Sequence, residues 1–177
     1  LWGMSFHGGA IWVIIAMWFF ARKERLSFLW VSDAVAWLVP IWLFLGRIGN
    51  YLNKELLGLP GYTWPLAVTK WWQTYFPTPL LEAFLEGVVL FLILFLIKRK
   101  VKKEKWKVWA LSCWFLILYA VFRFFAEFFR TPDPQIGYIA LGWVTMWQIL
   151  SVVMLAFWFS VFLFLRKKIK KEKRRKS

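Results

Sequence analysis

Five apolar stretches, each bounded by lysines and arginines, constrain this chain more than any other feature. They run over Ala10–Ala21, Phe28–Leu45, Leu80–Ile97, Val108–Phe122 and Ile139–Leu165. A helix needs about 20 mostly apolar residues to cross a bilayer. The second stretch is interrupted by Asp33 and Pro40, and the third carries Glu82 and Glu86 in its first turns. With 61% hydrophobic residues, 15 Trp and 19 Phe in 177 residues, a soluble domain would have far more apolar surface than it could bury. The pattern predicts an all-α integral membrane protein with about five transmembrane helices.

The formal net charge of +15 suggests nucleic acid until its distribution is read. Three basic residues lie in Arg22–Arg25, seven in Lys98–Lys107 and nine in Arg166–Lys176. All three clusters abut the ends of apolar stretches, which is how cytoplasmic loops are marked. They need no nucleic acid. The expected topology has the N-terminus outside and the C-terminus cytoplasmic. Residues 1–165 then form a multi-span membrane domain and 166–177 a basic cytoplasmic tail that also meets anionic lipid. Residues 1–9, 46–79 and 123–138 fall together on the outer side. The outer region 46–79, rich in Pro and Trp, reads as irregular chain with short interfacial elements. The chain does not open with Met, and so little sequence before an outer first span is expected of a fragment.

The polar residues gather on that outer side. His7, the one histidine, sits among Gly3, Gly8 and Gly9 in "GMSFHGG". It is either an interfacial hydrogen-bonding residue or a general base. With Cys113 as the one cysteine, inside an apolar run, no disulfide forms within the chain, and no His/Cys metal set can be assembled. Cys113 reads as a small packing residue. The stretch "GRIGNYLNKELLG" follows the second span and places Arg47 at its edge, with Asn50, Asn53, Glu55 and Gly58. An arginine within a span costs roughly 2.5–3.5 kcal/mol on insertion scales, so something must offset it. Arg47 and Asn50 share a helical face at i, i+3. Gly46, Gly49 and Gly58 point to close packing or a tight turn. In "RFFAEFFRTPDPQ", Arg123, Glu127 and Arg130 at i, i+4, i+7 share one face of a helix. They form either a self-satisfied ion row or a site in which Arg123 faces an anion and Glu127 orients it. One of Glu82 and Glu86 is expected to have a basic partner. Gln148 and Ser151 are expected to hydrogen-bond between helices. Two or three arginines with amides and a histidine at one boundary suit a phosphate-bearing lipid.

These motifs resemble the prolipoprotein diacylglyceryl transferase family. The family pattern Gly-Arg-x-Gly-Asn-Phe-x-Asn-x-Glu-x-x-Gly is matched by Gly46, Arg47, Gly49, Asn50, Asn53, Glu55 and Gly58, with Tyr51 for Phe. "GMSFHGG" and "RFFAEFFRTPDPQIG" resemble its Met-Ser-Phe-His-Gly-Gly and Arg-Phe-x-x-Glu-Phe-x-Arg-x-Pro-Asp segments. The resemblance implies a seven-span bacterial inner-membrane enzyme, two spans more than are present here. It would transfer diacylglyceryl from phosphatidylglycerol to the lipobox cysteine thiol of a prolipoprotein signal peptide. Glycerol 1-phosphate would leave, with no cofactor or metal. It implies catalytic roles for His7, Arg47 and Arg123. Substrate contacts would fall to Arg47, Asn50, Asn53, Glu55, Gly58, Glu127 and Arg130. Two segments depart from the family. "FPTPLLE" (Phe76–Glu82) stands for His-Pro-Ser-Gln-Leu-Tyr-Glu, and Trp147 replaces the Gly of Thr-Met-Gly-Gln. The competing readings are a non-catalytic lipid-binding scaffold derived from the enzyme, and a transporter. The absence of an internal repeat and the clustering of charge at one boundary disfavour the transporter.

Overall fold

The computed structural model describes residues 6–63, 65–70, 72–104, 109–131 and 144–176. The start of "GMSFHGG", the end of the 123–138 stretch and the first residues of the fifth apolar run lie outside the described residues. Among the described residues, seven α-helices carry the fold. They are α1 (Phe6–Lys23), α2 (Phe28–Ala36), α3 (Val39–Leu52), α4 (Thr78–Glu82), α5 (Leu90–Glu104), α6 (Ala110–Ala126) and α7 (Met146–Lys176). A π-helical segment, Ala83–Val89, joins α4 to α5. Among the described residues, three helical stretches are long and apolar enough to cross a membrane: Thr78–Lys100, Ala110–Phe129 and Met146–Phe164. The α2–α3 pair makes a fourth if counted as one broken span.

The break in the second apolar run lies at Trp37–Leu38, where α2 and α3 meet at 46°. Pro40 sets it. Proline lacks an N–H and is tolerated in the first turn of a helix but not in its interior, so a new helix starts there. Asp33 is explained at the opposite end of α6. Its carboxylate accepts hydrogen bonds from the backbone N–H of Trp109 (2.7 Å) and Ser112 (2.8 Å) and from the Ser112 hydroxyl (2.6 Å). Those amides open α6 and have no partner within it, so a carboxylate from α2 caps the helix in trans.

Burial runs inside out. Glu82, Glu86, Glu127, Thr145 and Gln148 are buried, while Trp12 and Trp42 are more than 70% exposed. An apolar solvent around the helices produces that distribution, because polar groups must then find partners inside. The apolar core is small. Leu90, Leu94 and Leu111 sit at its centre, with Trp37, Trp114 and Phe122 packed around them. Cys113 is buried on α6 among such neighbours, as a packing residue.

Between α3 and α4 the chain forms a hairpin, β1 (Val68–Lys70) with β2 (Gln73–Tyr75), antiparallel with Val68 opposite Tyr75. Trp72 lies in its turn, fully exposed. Residues 58–61 pair alongside β2, through Gly58 N–H to Phe76 O (2.9 Å) and Gly61 N–H to Thr74 O (2.8 Å). The hairpin is tied to the end of α3 by Lys54 Nζ to Thr69 O (3.3 Å) and Lys70 Nζ to Lys54 O (3.1 Å). Tyr51, the aromatic that departs from the family's Phe, donates its hydroxyl to Leu66 O at 3.4 Å.

Candidate active site

Arg47 lies in the penultimate turn of α3, Arg123 in the last turn of α6, and Glu82 and Glu86 flank the start of the π segment. Their four side chains close a ring. Arg47 Nη1 is 3.0 Å from Glu82 Oε2, and Arg47 Nη2 is 3.3 Å from Glu86 Oε2. Arg123 Nη1 pairs with Glu82 Oε1 and stands 3.5 Å from Glu86 Oε1. Each carboxylate therefore bridges both arginines, and the formal charges cancel. Both glutamates are fully buried. This ring is what offsets an arginine at the edge of an apolar stretch: a buried charge is tolerated when paired and hydrogen-bonded.

Glu82 and Glu86, at i, i+4, share one side of the helix, and the winding between them is π-helical. A π-helix has a wider turn than an α-helix and recurs at functional sites. Gly87 follows Glu86 and lets α3 approach: a Cβ there would stand 2.6 Å from Phe44 Cβ. Phe44 lies one turn before Arg47, so that contact draws the arginine against the acids. Sequence reasoning anticipated a basic partner for one of the two glutamates. Both have two.

The row Arg123–Glu127–Arg130 is not one helical face. α6 ends at Ala126, Glu127–Phe129 form a 3₁₀ turn, and Arg130 is extended. Arg123 turns to Glu82 and Glu86. Glu127 instead lies 4.0 Å from Arg130 Nη1 and accepts the Thr145 hydroxyl at 3.2 Å. The helix stops there because the Phe129 carbonyl is taken by Leu59 N–H (3.3 Å) and the Thr78 hydroxyl (2.9 Å).

Gly58 is the meeting point. It is buried, forms an antiparallel bridge with Arg130, and accepts the Thr131 hydroxyl at its carbonyl. A Cβ there would collide with Thr78 Oγ1 and Phe129 O and stand 2.9 Å from Phe76 Cβ. The departing segment Phe76–Glu82 is thus built into this junction. Phe76 stacks on Phe129 at 5.3 Å, with Tyr62 edge-on at 4.9 Å, and Thr78 is fully buried.

The structure brings together Arg47, Arg123 and, beside them, Glu127, Arg130 and Gly58. Asn50 is half-buried on α3, while Asn53 and Glu55 are exposed in the turn that follows. His7 lies in the first turn of α1. Gly46 and Gly49, expected in close packing, have open space where a Cβ would stand. Gln148 and Ser151, expected to bond between helices, bond within their own. Gln148 Oε1 accepts the Thr145 N–H at 3.0 Å, and Thr145 Oγ1 accepts the Gln148 N–H at 3.3 Å, a reciprocal cap on α7. Ser151 donates to Trp147 O at 2.7 Å. Glu82 and Glu86 are the site residues that sequence reasoning left without a role.

The fold and the site together define a helical protein of membrane-spanning type, organised round a buried arginine–glutamate ring at one end of its helices. The prolipoprotein diacylglyceryl transferase family model matches residues 1–164, and the chain belongs to that family. A phosphatidylglycerol–prolipoprotein diacylglyceryl transferase of Hydrogenovibrio crunogenus is 48% identical over 169 residues, covering 90% of this chain and 60% of that protein. The protein of the same name from Chromohalobacter salexigens is 49% identical over 154 residues, covering 86% of this chain and 56% of its own length. The one from Nitratidesulfovibrio vulgaris is 46% identical over 159 residues, covering 85% and 56%. The chain thus spans up to about 60% of the length of these relatives.

Proposed function

We propose that the protein transfers the diacylglyceryl group of phosphatidylglycerol to the lipobox cysteine thiol of a prolipoprotein signal peptide, releasing glycerol 1-phosphate. One observation carries this reading: the two arginines of separate family motifs, 76 positions apart, are held side by side at one end of the helices by Glu82 and Glu86. Two guanidiniums so placed suit a lipid phosphate, and nothing in displacing an alkyl phosphate requires a metal or cofactor. Arg47 and Arg123 bind the phosphate and stabilise its charge as it leaves. His7, directly or through water, accepts the thiol proton, and the sulfur attacks the glyceryl carbon that bears the phosphate. The bond from that carbon to the phosphate oxygen breaks. Asn50 shares a face of α3 with Gly46 and Gly49, whose missing side chains leave room beside Arg47. Asn53, Glu55, Gly58, Glu127 and Arg130 shape the rest of the substrate surface. An apolar groove lined by Pro40, Ile41, Phe44, Gly87, Val88 and Phe91 begins one turn below Arg47 and suits an acyl tail. The enzyme lies in the bacterial inner (plasma) membrane as a multi-pass protein, five spans being contributed by this chain. Its N-terminus and site face outward and its basic tail lies in the cytoplasm, as the Lys and Arg clusters orient it.

The test is rescue of bacteria depleted of their own transferase. The whole protein as its gene encodes it restores growth, and an equally expressed Arg47→Ala variant does not. An inserted parent that fails to rescue contradicts the transferase reading and favours the lipid-binding scaffold.

A further inference from the structure

We infer that Glu82 and Glu86 are positioning residues that set the charge of the phosphate site, so that it accepts a phosphodiester monoanion and lets a phosphomonoester dianion go. The inference rests on the transferase reading above, in which the two acids only hold the arginines, and adds a second role for them.

Holding two arginines in place does not require two fully buried carboxylates, each shared between both. Here the ring is neutral, with two guanidinium charges and two carboxylate charges. Charge balance across the reaction explains the use. The thiol gives up its proton to a base, the sulfur forms a bond to the glyceryl carbon, and the carbon–oxygen bond breaks with its electron pair going to the phosphate oxygen. A bound monoanion becomes a bound dianion. Two arginines with no counter-charge would favour the product over the substrate by the attraction of the added charge, which is strengthened in a buried site. The product would then stay. Two carboxylates in the same ring reduce that preference without removing the guanidinium donors.

The hydrogen bonding is incomplete in the way this requires. Among the described residues, Arg47 Nε is a buried donor without a hydrogen-bond partner. Arg123 gives only Nη1 to the ring. The ring therefore keeps guanidinium donors unspent for an incoming oxygen, and an unmade buried hydrogen bond is costly until one arrives.

The experiment uses the whole protein, purified in phosphatidylglycerol-containing micelles, with glycerol phosphate as the probe. Glu86→Gln keeps the shape and raises the site charge by one. The affinity for glycerol phosphate, read as thermal stabilisation without turnover and as product inhibition, is expected to rise tenfold or more. The kcat is expected to fall while KM for phosphatidylglycerol changes less than threefold. Glu82→Gln carries the same expectation, and Glu86→Asp, which keeps the charge, binds glycerol phosphate within twofold of the parent. A variant that loses activity with no gain in product affinity overturns the inference. So does a parent that binds glycerol phosphate ten times more tightly than phosphatidylglycerol, a measurement needing no variant. A parent that shows the affinity shift on mutation yet transfers nothing contradicts the transferase reading and leaves the charge-setting role standing.

Discussion

At Gly58 three segments of chain meet, and the position has no room for a side chain. Gly58→Ala forces Thr78, Phe76 or the Phe129 backbone to move, at a cost of about 1–3 kcal/mol for overpacking. The expected result is a lower melting midpoint in detergent and faster tryptic cleavage at the exposed Lys54 and Lys70. Asp33 is the converse case, a residue whose loss leaves groups unmet. Asp33→Ala removes the acceptor for two amides of α6. It should destabilise by about 1–3 kcal/mol, the cost of leaving partly buried donors unsatisfied. Asp33 is distant from the ring, so transfer per folded molecule stays within twofold of the parent. The sequence flagged both positions, but as an interruption and as a motif glycine. Their reasons are partners far along the chain: Trp109 and Ser112 for Asp33, Thr78 and Phe129 for Gly58.

Among the elements, the segment from Thr78 to Glu104 decides the site. Its apolar character was legible, and so was the helix break near Pro40, because both are local properties of composition and backbone. The π winding at Ala83–Val89 was not, nor the pairing of both acids with arginines from α3 and α6. Those partners lie 35 to 41 positions away from the acids, and a helical period carries no information about what packs against it. The same limit misplaced the end of α6. Spacing alone continues the helix to Arg130, but the Phe129 carbonyl is claimed from outside by Leu59 and Thr78. The start of α7 offers a graded test. Gln148→Ala removes one arm of the reciprocal cap and should cost about 1 kcal/mol, as cap losses do. Thr145→Val removes the other arm and also the hydroxyl on Glu127, so it should cost more. Thermal unfolding of the two variants should rank them in that order.

Among the described residues the helices bury Glu82, Glu86, Glu127 and Gln148 and expose Trp12, Trp18, Trp30 and Trp42, the arrangement an apolar solvent demands. The proposed orientation places the hairpin outside and the basic end of α7 inside, and cysteine labelling tests it. The native Cys113 is buried, so it gives little background. Trp72→Cys should react with a membrane-impermeant thiol reagent in intact spheroplasts, and Lys167→Cys only after permeabilisation. The reverse pattern would invert the topology. The central claim is narrower: that a ring of Arg47, Glu82, Glu86 and Arg123 holds the phosphate of the departing headgroup. Arg47→Lys keeps the charge and loses the fork that spans both glutamates and the lipid phosphate. The most direct measurement is the rate at which the purified whole protein forms a thioether on a lipobox peptide in phosphatidylglycerol vesicles, with this variant beside the parent. A loss of about a hundredfold or more in kcat/KM, the scale of removing a preorganised donor from a transition state, is the expected result. A variant within twofold of the parent would contradict the claim.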